Sequence, residues 1–210
     1  MKRLFVYMGA AAVLFSFWWL VSFFLALPIV PNPWHVVSCL QNIFLSSIAV
    51  HATYSLGRIA LGLAIAVGVG YPIGIFMGYA AGVDRILAPF VYLLYPVPKI
   101  ALLPILMLLA GVGELSKVLM IFLIIVFQVM IAVRDAVRAI PKETYFPLFS
   151  LGASSLAIFL HVLWPASLPK FITAVRVAMA TAISVLFFTE TFGAQYGLGY
   201  FIMDAWLRVN

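Results

Sequence analysis

No Asp, Glu, Lys or Arg occurs between Arg3 and Arg58, and further uncharged runs cover residues 59–83 and 144–169. About 20 mainly apolar residues cross roughly 30 Å of hydrocarbon, so each run is long enough to pass through a bilayer. The apolar stretches are continuous, whereas a transmembrane barrel alternates apolar and polar residues in segments of about ten. A water-soluble fold is excluded on the same ground. Hydrophobic residues make up 66% of the chain and charged residues 9%, against about 25% charged in soluble domains, and much of any globule faces water. The expected fold is an all-α, polytopic transmembrane helical bundle.

The net charge of +6 does not point to nucleic acid, because the Lys and Arg residues are scattered or sit at the ends of apolar runs. There they orient a membrane protein. The single cysteine, Cys39, cannot form an internal disulfide.

Five spans are expected. The first, residues 4–27, follows Lys2 and Arg3; it is longer than the apolar part of a secretory signal and lacks a clear cleavage site, so it reads as an uncleaved span. Residues 28–42, with Pro28, Pro31, Asn32, Pro33 and Trp34, read as an extracytoplasmic loop with an aromatic anchor. The second span runs from about residue 56 to 80. Within it Gly62, Ala66, Gly70, Gly74 and Gly78, continuing to Gly82, recur at every fourth position. Residues four apart share a helix face, and a ridge of small residues lets a neighbouring helix approach closely. This predicts helix packing rather than a ligand site, with Pro72 bending the helix.

The third span, residues 86–110, follows a turn at residues 82–85 and is broken by Pro89, Pro96, Pro98 and Pro104, with Lys99 beside the break. Irregular backbone at membrane depth survives where protein buries it or a wet cavity borders it. Two readings stay open: the lining of a translocation path, or a kinked packing helix with Lys99 reaching the interface. The fourth and fifth spans cover residues 118–133 and 171–189. Gln128, Thr181, Ser184 and Thr189 lie in or near them, suited either to a path or to interhelical hydrogen bonds. Glu190 reads as a solvated carboxylate at the outer interface, and His51 and His161 as interfacial rather than catalytic. Residues 200–208 form an amphipathic tail.

With the amino terminus inside, Lys2, Arg3, Arg85, Arg134, Arg138, Lys142, Lys170 and Arg176 fall in the cytoplasm. Lys117, Arg208 and Arg58 fall outside, in keeping with the positive-inside rule. The cytoplasm then holds the large connection of about residues 134–170. Pro141 suits a helix start, Gly152 a helix stop, and Ser154 or Ser155 the cap of the next helix. Two short helices lying along the membrane are expected to meet at this glycine, with Pro165 and Pro169 leading into the fifth span.

Gly152-Ala153-Ser154 followed by Val162-Leu163-Trp164-Pro165 resembles the loop shared by permease subunits of binding-protein-dependent (type I) ABC importers. That loop has a Glu-Ala-Ala start, a glycine after three more residues, and an Ile-x-Leu-Pro-type ending. Phe146-Pro147-Leu148 stands here in place of Glu-Ala-Ala. Pro31-Asn32-Pro33, Ser55-Leu56-Gly57-Arg58, Tyr95-Pro96-Val97-Pro98 with Leu103-Pro104, residues 111–117, and Gly197-Leu198-Gly199-Tyr200 are similar, in order, to other stretches of that family. They most resemble its nitrate, sulfonate, taurine and pyrimidine-precursor branch.

The resemblance implies a non-catalytic, multi-pass subunit of the bacterial cytoplasmic (inner) membrane that conducts a small polar solute. It implies a second permease subunit, an ABC ATPase dimer and an extracytoplasmic substrate-binding protein as partners, with the bilayer around them. ATP and Mg would bind the ATPase, since this chain has no Gly-x4-Gly-Lys-Ser/Thr phosphate loop. Carried over, ATPase coupling falls to Glu143, Thr144, Tyr145, Phe146, Leu151, Gly152, Ala153, Ser154, Ser155 and Pro165. The path falls to Pro96, Pro98, Lys99, Gln128, Thr181 and Ser184. No metal site or cofactor is expected on this chain. The domains read as an N-terminal helix (1–30), an extracytoplasmic connection (31–55) and a permease core (56–210).

Related permeases return through a sixth helix, so the chain is expected either to be truncated or to be closed by a partner's helix. Two other classes fit the sequence less well. An intramembrane protease is disfavoured because Ser154 and Ser155 lack the glycine two residues on and a dyad histidine. A secondary transporter or channel would more often show internal repeats and deeply placed ionisable residues.

Overall fold

A computed structural model describes residues 2–25, 27 and 29–208, with side chains described from residue 5 onward. The described residues are helical wherever they are regular, with no strand among them. The chain divides into two compact units, residues 1–50 and 51–210.

In the first unit, α1 (Lys2–Leu25) exposes apolar side chains around most of its surface, among them Phe5, Leu14, Phe17 and Phe24. A helix apolar all round suits lipid. Most of the loop expected over residues 28–42 is instead helical, from Pro33 on, while Pro28 lies outside the described residues. Asn32 accepts a hydrogen bond from the Trp34 amide at 3.0 Å and caps α2 (Pro33–Ile43), with Pro33 in its first turn. Proline there loses nothing, because the first helical amides have no intrahelical acceptor. Trp34 packs edge-on against Phe15, 5.5 Å between centroids.

After a π-turn at Phe44–Ile48 the chain enters α3 (Ala49–Tyr79), longer than the expected second span. The helix runs through Pro72 without ending. The second unit is built on α3, α6 (Glu114–Arg138) and α9 (Trp164–Glu190). The small-residue ridge lies against α6. A Cβ added to Gly62 would meet Ile121. One on Gly70 would meet the Val126 carbonyl at 2.9 Å, one on Gly74 the Met130 carbonyl at 2.8 Å, and one on Gly78 the Arg134 carbonyl at 2.9 Å. Both numberings rise together, so α3 and α6 run parallel with their backbones almost touching. The ridge stops at Gly78: a Cβ on Gly82 would meet nothing within 4 Å, because α3 has ended at Tyr79.

Without a hydrophobic driving force between helices in lipid, such contact is what holds them together. Ala66, Ile121, Ile125, Val129, Val133, Ala178 and Ala182 are wholly buried around this seam. α9 runs the other way, with Ser167 beside Tyr71 (hydroxyls 2.7 Å apart) and Glu190 beside Arg58.

The third span is broken at Pro96 and Pro98, whereas Pro89 stays inside the helix before the break and Pro104 sits in the first turn of the helix after it. α4 (Ala81–Leu94) and the segment Lys99–Ala110, which ends in α5 (Leu103–Ala110), meet at 83°. The expected turn at residues 82–85 is instead the first turn of α4, where Asp84 suits the helix N-terminus. With the bent pair taken as one span, five segments among the described residues are long and apolar enough to cross a membrane.

Candidate coupling loop and transport groove

Between α6 and α9 a 3-10 turn (Lys142–Tyr145) leads into α7 (Phe146–Ser150). Gly152 then takes φ +64°, a conformation open to glycine at no steric cost. Its amide donates to the Phe149 carbonyl at 3.1 Å, and the Ala153 amide donates to the Leu148 carbonyl at 2.9 Å. This pair of bonds is a Schellman stop, which satisfies the last carbonyls of α7. Ser154 caps the next helix by accepting from the Ala157 amide at 3.3 Å.

The sequence suggested a second short helix here, with Pro165 starting the span. The structure corrects this. α8 (Ser155–Ile158), a π-turn at Phe159–Leu163 and α9 form one helical run from Ser155 to Glu190, with Pro165 and Pro169 inside it. Pro165 is in the first turn of α9, and the π-turn before it accommodates the amide it lacks.

The loop's apolar side chains point outward. Phe146, Phe149, Leu151 and Leu156 are all exposed, Leu151 at 84%. Lys142, Glu143, Thr144 and Ser155 are exposed beside them. Tyr145 anchors the loop, half-buried between Tyr79 and Phe149. Burial, with Tyr79 nearby, pushes its phenol up.

The expected path residues fall into two groups. Lys99, Gln128 and Thr181 line one cavity of about 410 Å³, with Tyr95, Ile124 and Val185. Tyr95 and Gln128 also line a second cavity of about 590 Å³, which continues toward Asp135, Lys170 and Thr173. A single groove thus runs between the break of the third span, α6 and α9. Pro96 and Pro98 shape the break and are not among its lining residues, and Ser184 lies outside both cavities, donating back to the Ala180 carbonyl.

Two charge clusters escaped the sequence reading. Glu190 is not solvated but 1% exposed. It accepts from Ser55 (2.7 Å), from Arg58 (2.7 Å) and from the Gly199 amide (2.8 Å). Arg58, also buried, grips Glu114 through Nε and Nη2 at 2.5 and 2.6 Å and donates to the Tyr196 carbonyl. Arg58 and Lys117 are therefore not loop charges. Lys117 is 1% exposed and donates to the Val112 and Gly113 carbonyls. At the other end Asp84 holds Arg134 at 2.5 and 2.9 Å and Arg138 at 2.8 Å. The only local signal for either cluster was charge beside an apolar run, which names no partner across the fold. Among the described residues no group of His, Cys, Asp or Glu could hold a metal ion.

A helical bundle with a broken span, an open groove beside it and an exposed glycine-hinged loop has the parts expected of a membrane transport subunit. A family described as the binding-protein-dependent transport system inner membrane component matches residues 70–210, and the chain belongs to that family. It is 34% identical over 205 residues to the taurine transport system permease protein TauC of Escherichia coli (strain K12), covering 94% of this chain and 74% of TauC. It is 30% identical to the putative aliphatic sulfonates transport permease protein SsuC of Bacillus subtilis (strain 168), covering 84% of this chain and 64% of SsuC. A chain of the MetNI methionine ABC transporter, solved in inward-facing conformations, shares the fold. It has TM-score 0.65 and 18% identity, over 81% of this chain and 84% of that one. The protein is a permease subunit of an ATP-driven importer.

Proposed function

We propose that residues 142–155 dock on a separate ATPase subunit and that the groove between α4–α5, α6 and α9 carries the solute. The observation that supports docking is the set of exposed apolar side chains, Phe146, Phe149 and Leu151, held in place by the Gly152 stop. Exposed apolar side chains set among charges mark a surface that meets another protein. The loop continues directly into α9 through the Ser154 cap, so a displacement of the loop becomes a displacement of a groove wall.

In this reading the loop is cytoplasmic, as is the amino terminus, and ATP and Mg bind the ATPase. A second permease subunit completes the pore, and an extracytoplasmic binding protein delivers a small polar solute. The exposed face of α9 supports a second subunit. It carries Thr173, Arg176, Thr181 and Ser184 among apolar side chains, and charged and polar groups in a span face protein or water.

The test is co-purification. Gly152→Val forces a β-branched side chain into a left-handed backbone position, so the ATPase should be lost from a permease that still inserts in the membrane. Retention of the ATPase by this variant overturns docking. In a Cys39→Ser, Ser154→Cys chain, an impermeant maleimide added outside intact cells should not react at position 154. Reaction from outside would reverse the orientation.

A further inference from the structure

Gln128 lines both cavities, and its half-buried side-chain amide makes no hydrogen bond among the described residues. An amide at membrane depth left without a protein partner requires water or a solute to satisfy it. The smaller cavity is also lined by Lys99, whose ammonium has three N–H groups. Two are used at the break itself, on the Leu94 carbonyl at 2.7 Å and the Tyr95 carbonyl. The ammonium also lies over the Phe127 ring, 5.1 Å from its centroid. Capping the end of α4 thus accounts for two of the three donors and leaves one. Among the described residues no carboxylate pairs with Lys99. The carboxylate that lines the groove, Asp135, accepts from Arg134 at 2.9 Å, whereas Lys170 near it is exposed. The charged side chains that line the groove are therefore two lysines, Lys99 and Lys170, against one carboxylate, Asp135.

We propose that the Lys99 ammonium and the Gln128 amide form a solute-contacting site inside the permease that admits anionic groups in preference to cationic ones. The inference rests on the groove being the solute path. The ammonium supplies the charge, and the amide N–H of Gln128 supplies a directed donor in the same cavity. The Thr181 hydroxyl, which donates to the Val177 carbonyl, leaves its oxygen lone pairs to orient a hydroxyl or ammonium elsewhere on the solute. Selection by charge would then occur in the membrane as well as at the binding protein.

The test needs no knowledge of the natural solute. The assembled transporter in nanodiscs, carrying Cys39→Ser and Gln128→Cys, is treated with three methanethiosulfonates: 2-sulfonatoethyl (anionic), 2-(trimethylammonio)ethyl (cationic) and methyl (neutral). Each rate is divided by that reagent's rate with free cysteine. The anionic reagent should react about tenfold faster than the cationic one, the scale set by one ammonium at close range in a partly desolvated cavity. Lys99→Gln should bring the ratio close to one, and Lys99→Arg should keep it.

A ratio near one in the parent, or one unchanged by Lys99→Gln, overturns the inference and leaves the groove standing. Loss of the ratio on Lys170→Gln alone, with Lys99→Gln without effect, moves selection to the mouth and also overturns it. Failure of the neutral reagent to react at position 128 removes the groove, and the inference with it.

Discussion

The seam between α3 and α6 and the outer face of α9 are made of similar apolar residues, yet one is closed and the other open. In their most apolar stretches, 61% of α6 is buried inside the chain against 17% of the run from Ser155 to Glu190. The closed seam has glycine on one side and Val or Ile on the other, with ion clusters at both ends. The open face has Ile172, Val177 and Ile183 exposed beside Thr173, Arg176 and Ser184. In lipid, apolar character alone does not decide which surfaces meet. Shape and fixed charge do. The seam is complete within one chain, and on the proposed reading the open face and the loop are surfaces for other subunits.

The sharpest way to break the closed region is to unpair its buried charge. Arg58→Met leaves Glu190 buried with Ser55 and the Gly199 amide but no cation. Removing one partner of a buried pair costs about 3–5 kcal/mol, so thermal unfolding of the purified permease should show a large drop in midpoint. Adding Glu190→Gln to Arg58→Met should recover part of the loss, because a neutral amide tolerates the site better than an unpaired carboxylate. If the single and double variants unfold alike, the carboxylate is solvated and the cluster does not close the seam.

Next in size is the seam itself. A methyl on Gly74 would sit 2.8 Å from the Met130 carbonyl and 2.9 Å from the Val133 Cβ, whereas one on Gly68 in the same helix would meet nothing within 4 Å. Overpacking of this kind costs about 1–3 kcal/mol. Gly74→Ala should therefore destabilise the permease in the same unfolding assay. Gly68→Ala should be neutral or stabilising by up to about 1 kcal/mol, since alanine is the better helix former. Equal effects at the two positions would mean that α3 and α6 do not touch along this line.

The seam was readable in the sequence because its period is local: small residues every fourth position share one face whatever lies opposite. The broken third span was readable for a similar reason, since Pro96 and Pro98 fix their own backbone, though Pro89, also expected to break it, is carried inside α4. What failed was pairing at long range. Arg58 and Glu190 each stand beside an apolar run, and nothing near either residue specifies the other. Glu190 accordingly read as solvated and Lys117 as a charge outside the membrane, though both are buried. The helix at Pro33–Ile43 carried a local signal that was outweighed: Asn32 before Pro33 is a helix cap and start, read as a loop because other prolines surround it. In the loop, Gly152 and Ser154 announced the turn and the cap. The continuity from Ser155 into the span did not show, because Pro165 looks like a beginning when the π-turn before it is unseen.

The smallest expected effect on folding, and the most informative about the open region, belongs to Leu151. Its side chain is 84% exposed on the turn after α7 and contributes little to the chain's own core. Leu151→Ser should therefore change stability by no more than about 0.5 kcal/mol, the usual range for surface positions. If the loop docks on an ATPase, the same substitution removes an apolar anchor from that interface. Truncating such an anchor typically costs more than about 1 kcal/mol of binding, so the ATPase retained on the permease after dilution should fall by about tenfold. The two readouts separate because the residue is exposed within this chain and covered only in the complex. A variant that unfolds early would place Leu151 in the closed region. One that unfolds normally and keeps its ATPase would leave the loop's apolar surface without a partner.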